Sequence, residues 1–440
     1  MNDAKTIVMW QRKAATDGVT TETVAGALEI MPDQDLKISS VLEAVLMDYA
    51  GLQKPIAPHS RAVKQLAAAV KTISDEYIAA NDRFTGDLFK NAALINAYLI
   101  YFLPANLVKL FPVLDELVSH PDIIGLSGPD ISILDLGCGP GTFLLGVLEY
   151  FCARRKNIFS PDVERIDLWG IDRSEACLAT ARHVINRYLH ASVMPPHSSC
   201  GLHFKAGSLS STMFPHPLLP ACRAFDLIIA GNVLTEMDYG ECRKLVPIFE
   251  HLLSPQGALL LIEPGTKTAS RHLTSIRNIL LEQSSLTLYA PCLESGPCPS
   301  FDNPQDWCHQ KLFWSPPEII RAIDRITGFT KHKGIHFTYF TFLKDGKQVV
   351  YPAGDFRRDQ IWRVVSYVIK GTGEERLFIC NGKERIMLRR LARNVSVHNQ
   401  DFSRARRGDC VIVAGMVKRK TFYEVDKNTR FTVLRKEHGT

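Results

Sequence analysis

The chain has 440 residues, 46% of them apolar and 22% charged, with a formal net charge of +6. That length exceeds one ordinary domain and suggests two or three, and the composition is that of a globular protein with ample material for a core. Eleven cysteines without a recognisable signal peptide argue against a disulfide framework, because thiols in a reducing compartment stay reduced.

The opening MNDAKTIVMWQRK has no continuous apolar run, and its early Asp3 and few arginines make a poor organelle presequence, so a cytoplasmic location is expected. Residues 1–127 read as a helical region: apolar residues recur at three- and four-residue intervals in VLEAVLMDYAGL and AVKQLAAAVKTISDEYIAAN, separated by the polar joints QKPIAPHS and NDRFTG. The run AALINAYLIYFLPANLVKLFPVL from Ala92 is long enough to raise the question of a membrane span. Asn96, Pro104, Asn106 and Lys109 interrupt it, so it reads as two buried helices broken at the proline, with no membrane partner expected.

From Ile131 the pattern changes to strand, turn and helix units, among them ISILDLGCGPGTFLLGVLEYF, RIDLWGIDRSEACLATARHVINRYL, FDLIIAGNVLTEM and GALLLIEPGTK. Short continuous apolar strands followed by amphipathic helices predict a parallel sheet covered on both faces, an α/β Rossmann-like domain over residues 128–330. Residues 331–440 turn to strand-like runs such as IHFTYFTFL, WRVVSYVIKG, ERLFICNG and CVIVAGMVKRKTFYEV, which predict a small β barrel or sandwich, an oligonucleotide-binding barrel being one candidate. This last region is basic. From Asp355 to Thr440 twenty Lys and Arg face ten Asp and Glu, a net +10, which leaves −4 of the total +6 on the rest of the chain. A basic module on a slightly acidic body is the footprint expected for nucleic acid, with a solvated basic face as the alternative.

The most informative local stretch is ILDLGCGPGT, residues 133–142. An apolar strand carries Asp135, and Gly137, Gly139 and Gly141 let the backbone turn tightly beneath a ligand before a helix begins. A second acid, Asp172 in WGIDRS, ends the next strand. Spaced glycines alone also occur in dinucleotide-binding turns. With the two acids, the combination resembles the class I S-adenosylmethionine-dependent methyltransferases. The resemblance implies that the loop backs the amino-acid part of the cofactor and that Asp172 binds its ribose hydroxyls, charge-assisted bonds being the stronger ones. It also places Ser208, in KAGSL, where many relatives have an acid near the adenine. Asn232 of AGNVLTEM is a candidate cofactor contact and, with Glu236 and Glu263, a candidate for the acceptor pocket, a helix cap or a surface acid being the alternative for each. The fourth strand does not end in the Asn/Asp-Pro-Pro-aromatic signature of amino-group methyltransferases, and no catalytic residue is assigned.

The stretch YAPCLESGPCPSFDNPQDWCHQ, within a cysteine-rich segment at residues 289–310, has the spacing C-x5-C-x9-C, which matches neither zinc-finger hooks nor the motif of radical S-adenosylmethionine enzymes. A closed zinc or cluster site needs a fourth thiolate, and Cys380, ending ERLFIC before Asn381-Gly382, sits at a turn where a ligand projects. Cys138, Cys152, Cys177, Cys222, Cys242 and Cys410 read as small or core residues, and Cys200 as a loop residue.

The segments APCLESGPCP, DWCH, HFTYF, LFICNG and SRARRGD, in this order over roughly residues 90–420, resemble the mitochondrial small-ribosomal-subunit assembly factors with a methyltransferase fold, the Rsm-type family of methyltransferase-like protein 17, and its bacterial relatives. The resemblance implies a 4Fe-4S cluster held by Cys292, Cys298, Cys308 and Cys380, with zinc as the alternative metal. Soft thiolates suit either. Leu293, Glu294 and Arg407 depart from the residues common in relatives and spare every implied ligand. The implied partner is small-subunit rRNA or the small ribosomal subunit, with no DNA expected. Arg389, Arg390, Arg393, Arg404, Arg406 and Arg407 are the candidate phosphate contacts, and Phe378, Phe402, Phe422 and Tyr423 the candidate stacking residues. A working rRNA methyltransferase, a non-catalytic assembly factor and a zinc-containing methyltransferase of small molecules or proteins all remain open at this point.

Overall fold

In a computed structural model, residues 36–79, 91–118, 128–154, 163–192, 199–209, 219, 224–346 and 357–434 are described. The chain forms two compact units. One holds Asp33–Pro291 and Lys311–Val350; the other holds Cys292–Gln310 and Tyr351–Thr440.

The first unit is built on a sheet whose main path has the order β3-β2-β1-β4-β5-β7-β6. Its parallel strands are β1 (Asp130–Leu136), β2 (Arg165–Asp172), β3 (Ser199–Ala206), β4 (Phe225–Gly231) and β5 (Leu253–Pro264). They form because β1, β2, β4 and β5 are nearly continuous apolar runs, which only a sheet covered on both faces can bury. β7 (Ile335–Leu343) lies antiparallel between β5 and β6 (Thr287–Ala290). This order, reversing at β1 and β4 and closing on one antiparallel strand, is that of a class I methyltransferase-like α/β fold.

Helices α1 (Ser40–Tyr49) and α2 (Arg61–Ala79) precede the composite run α3 (Ala92–Ala97), a π-turn at Tyr98–Phe102, α4 (Leu103–Leu107) and α5 (Leu110–Val118). The expected break at Pro104 lies elsewhere. Pro104 sits in the first turn of α4, where its missing N–H costs nothing, and the helix breaks instead at Val108 and Lys109. The stretch Ala92–Val118 is long and apolar enough to cross a membrane, yet 78% of its apolar window is buried, and Leu99, Leu107, Leu110 and Leu114 join Leu42, Val70, Ile133 and Ile229 in one core. The remaining helices are α6 (Thr142–Glu149), α7 (Glu175–Ala191), α8 (Tyr239–Leu252), α9 (Lys267–Gln283) and α10 (Glu318–Thr327). Ser174, Asp238 and Thr266 cap α7, α8 and α9, each accepting an otherwise unpaired backbone N–H.

The second unit is a mostly antiparallel half-barrel sheet and neither a closed barrel nor a sandwich. Its strands are β8 (Ile361–Val364), β9 (Ile369–Gly371), β10 (Glu374–Cys380), β11 (Arg385–Leu391), β12 (Cys410–Ala414), β13 (Val417–Lys418), β14 (Tyr423–Val425) and β15 (Arg430–Leu434). The path runs β13-β14-β11-β10-β8-β12-β15, with β9 beside β10 and only the β11–β14 pair parallel. Alternation along β10 and β11 turns Leu377, Ile379, Ile386 and Leu388 onto one core with Trp362, Phe402, Val411 and Phe431. A division at residue 330 therefore does not describe the fold: IHFTYFTFL is an internal strand of the first unit, and the cysteine segment groups with the basic strands. The reason is that an apolar run announces a strand without naming its partner.

Candidate cofactor site and cysteine segment

The turn after β1 is shaped by its glycines. Gly137 has φ 72°, and a Cβ there would stand 2.4 Å from a Val233 methyl. Gly139, at φ 51°, has no atom within 4 Å of an added Cβ, so its face of the turn is open. Gly141, with φ 83°, leads directly into α6. Asp135, at the end of β1, is fully buried, and neither carboxylate oxygen completes a hydrogen bond of good geometry. Burial and then Asp172 push its pKa well above the usual carboxylate range, partly offset by the Leu144 and Phe143 amides in the first turn of α6. Asp172, half-buried at the end of β2, accepts the Gly139 N–H at 2.8 Å and the Ser174 N–H at 2.9 Å. Ser208 is exposed in the coil after β3, next to Gly207, whose N–H donates to the Asp172 carbonyl at 2.9 Å.

Beyond β4 the chain turns at Asn232, the one non-glycine residue with positive φ (55°) among those described. Its N–H donates to the Ile262 carbonyl at 2.8 Å, and its Oδ1 accepts from Lys109 Nζ at 3.4 Å. Glu263, a candidate lining acid, is instead fully buried: it accepts the Val233 and Leu234 N–H groups at 3.0 and 2.8 Å and the Thr235 hydroxyl at 2.9 Å. It fastens the loop after β4 and presents no oxygen to a ligand. Burial lifts its pKa to about 7. Glu236 stands half-buried 4.0 Å from Arg173, and burial raises it to about 8 although Arg173 opposes the shift. The hydroxyl of Tyr98 is pushed up to about 12 by burial, with Thr142 and Asn106 opposing the shift. Tyr98 and Lys109 were not among the residues expected here. The signal for Lys109 was present, a cation inside the apolar stretch NLVKLFPVL.

In the second unit Cys298 is buried, and Cys292, Cys308 and Cys380 are half-buried. Burial raises the Cys308 thiol, with Cys298 adding to the shift and Arg407 and Arg385 opposing it; burial lifts Cys380 to about 11, with Cys308 and Cys298 contributing. Three of the four thiols therefore sense one another. Among the described residues, however, no group of three or more His, Cys, Asp or Glu side chains is placed to hold a metal ion. Arg385 pairs with Asp306, and Arg407 donates to the His309 carbonyl, yet the Nε of each is buried without a partner.

The six tail arginines divide. Arg390 is 2% exposed and is spent internally on Glu375, Ser403 and Asn399, so it is a core residue and not a phosphate contact. Strand alternation turns it inward with Ile386 and Leu388. Arg407 is likewise engaged, over Tyr367 and at His309, and Arg389 pairs with Glu374. Arg393, Arg404 and Arg406 are exposed. Of the candidate stacking residues, Phe402 is fully buried beneath Arg390, whereas Phe378, Phe422 and Tyr423 are half-buried.

Solved structures similar to this chain include magnesium protoporphyrin IX methyltransferase of Synechocystis with bound S-adenosylmethionine, at 12% identity, 63% of this chain, 97% of that chain and a TM-score of 0.31. A methyltransferase from Pyrococcus furiosus is similar at 14% identity, 63% of this chain, 98% of that chain and a TM-score of 0.30. No curated protein matches the chain. Residues 90–410 match the family described as "Mitochondrial small ribosomal subunit Rsm22", a span that includes the glycine turn, all four cysteines of the candidate metal set and the first four of the eight strands of the basic unit, and the chain belongs to that family.

Proposed function

We propose that this protein acts on the small ribosomal subunit, binding its rRNA through the basic β unit and S-adenosylmethionine at the turn after β1. The observation that carries this is the family membership over residues 90–410. Support for the cofactor comes from the site itself. Asp135 is a buried carboxylate with no completed hydrogen bond, and Gly139 leaves open a space that any side chain would fill. Asp172 keeps lone pairs beyond the two amide bonds it accepts. The rRNA contacts are assigned to Arg393, Arg404 and Arg406, the exposed members of the arginine set.

Cys292, Cys298, Cys308 and Cys380 are proposed as ligands of a 4Fe-4S cluster, with zinc as the alternative. Four thiols in one compact unit, three of them in electrostatic contact and flanked by two arginines, are the right donor chemistry for either metal. Methyl transfer to rRNA is a second reading, and it rests on the same cofactor site: Asp135, buried with only the Leu144 and Phe143 amides to offset the cost, suits a ligand at the turn.

The test is purification without oxygen followed by iron, acid-labile sulfide and zinc analysis, together with methyl incorporation into isolated small-subunit rRNA. About four irons and four sulfides per chain, lost on Cys292→Ser or Cys380→Ser, support the cluster. Stoichiometric zinc keeps the ligands and changes the metal, and neither metal sinks the assignment. Methylated rRNA establishes transfer, whereas salt-sensitive rRNA binding without methylation leaves an assembly factor.

A further inference from the structure

Lys109 is an unusual lysine. It lies in the two-residue break between α4 and α5, is 3% exposed, and among the described residues its Nζ makes one hydrogen bond, to Asn232 Oδ1 at 3.4 Å. A second lysine, Lys331, is near enough to act on it electrostatically and lies with its Nζ 6.0 Å from the centre of the Phe102 ring. A buried cation that feels the repulsion of a second, half-buried one is costly, and a fold tolerates this where something anionic compensates.

Among the described residues, the carboxylates within electrostatic range are already engaged. Glu263 is taken up by Val233, Leu234 and Thr235. Asp324 is taken up by the Tyr101 hydroxyl and by the backbone N–H and ring Nδ1 of His332. Neither lysine forms an ion pair with them. The effect shows on the amines: burial and then Lys331 lower Lys109 to about 7, against the pull of Glu263, and burial lowers Lys331 against that of Asp324.

The position matters as much as the charge. Asn232 ends the central strand β4 in a left-handed backbone conformation, a local cost that tends to be kept where a side chain must point at a ligand. The carboxyl ends of the strands, at the point where the strand order reverses, are where open α/β sheets take their ligands. Lys109 therefore stands at the mouth of the sheet, not in the middle of a helical core.

We propose that Lys109 and Lys331, with the Asn232 carboxamide beside them, form a binding site for an oxyanion, a phosphate or carboxylate group carried by a ligand at the carboxyl end of the sheet. The site does not depend on methyl transfer or on the metal. Phosphate would come from a nucleotide or an RNA backbone, carboxylate from an amino-acid moiety.

The experiment uses the full chain and two matched probe pairs followed by calorimetry: adenosine 5′-monophosphate against adenosine, and S-adenosylhomocysteine against its decarboxylated analogue. In the unmodified protein one anionic probe should bind about tenfold tighter than its uncharged counterpart, and that ratio should fall below about threefold in both Lys109→Met and Lys331→Gln. Loss in the first pair assigns phosphate and loss in the second assigns carboxylate. A ratio unchanged by both substitutions, or no preference for either anionic probe in the unmodified protein, overturns the site. Lys109→Met should not lower Tm, because the buried charge it removes costs stability when no ligand is present. If that variant nevertheless unfolds, Lys331→Gln, at a half-exposed position, decides the outcome.

Discussion

The carboxylate of Asp172 accepts the Gly139 N–H at 2.8 Å, so the acid that ends β2 is tied to the turn that ends β1. Its other oxygen accepts the Ser174 N–H at 2.9 Å, which fixes the start of α7. Asp172→Ala therefore leaves two backbone donors without an acceptor and should cost about 1–3 kcal/mol in urea unfolding. Asp172→Asn retains one carbonyl acceptor and should cost less than Asp172→Ala. Equal midpoints for the alanine variant and the unmodified protein would show that the carboxylate has no structural role.

The glycine turn separates scaffold from binding. Gly137→Ala forces a Cβ to 2.4 Å from a Val233 methyl, so the protein should be strongly destabilised and its Tm clearly lowered. Gly139→Ala meets no atom within 4 Å and carries only the penalty of φ 51°, about 1–2 kcal/mol. Its methyl enters the open side of the turn, however, and should weaken S-adenosylhomocysteine binding by about tenfold or more, read by calorimetry. Undiminished binding in a folded Gly139→Ala protein would remove the turn from the cofactor site.

Glu263 makes stability depend on pH. Its folded value of about 7 lies above its ordinary 4.5, chiefly through burial. The folded state therefore holds a proton that the unfolded state releases. The stability this contributes is complete below about pH 4.5 and is lost as pH rises through about 7, by roughly 3 kcal/mol at most. Denaturant midpoints at several pH values across that window should fall less steeply in Glu263→Gln than in the unmodified protein. Parallel curves would place the titration elsewhere.

The basic strands predict a clean division among arginines. Arg390→Ala removes a 2% exposed side chain that holds Glu375, Ser403 and Asn399, leaves Glu375 with the Ser403 hydroxyl, and should cost about 2–3 kcal/mol of stability. Arg393→Ala and Arg404→Ala, at exposed positions, should leave unfolding unchanged within about 0.5 kcal/mol. Each should also weaken rRNA binding and reduce its salt slope by roughly one unit. If Arg393→Ala and Arg404→Ala both leave the salt slope unchanged, the basic face is solvated and unpartnered.

The parts of the molecule that could be read from sequence were those whose chemistry is contiguous. The turn from Asp135 to Gly141 declares itself because acid, glycines and helix follow one another within a few residues. The parallel strands declare themselves through apolar runs. β7 was recognisable as a strand, but not as the neighbour of β5 and β6, because sheet pairing is set by tertiary packing and leaves no trace in the strand itself. Charge counting treated Arg389 and Arg390 alike, although period-two alternation already separates them, and only the buried one is spent on Asn399, Glu375 and Ser403. The sequence leaves Glu263 open between a pocket acid and a structural one, because its loop partners, Val233, Leu234 and Thr235, lie about thirty residues away.

The placement of Ile335–Leu343 between β5 and β6 bears on how the chain can be cut. A fragment ending at residue 330 would lose an internal strand, leaving β6 without its neighbour and the long apolar edge of β5 open to pairing with another molecule. The same cut would strand Cys292–Gln310 without the rest of its compact unit. Neither unit is a continuous length of polypeptide, and on the ribosome the first sheet cannot be completed until β7 has been synthesised, well after its parallel strands. Until then the nascent protein carries an unfinished edge, and a chaperone or early partner that covers it would act during synthesis, before the basic strands exist.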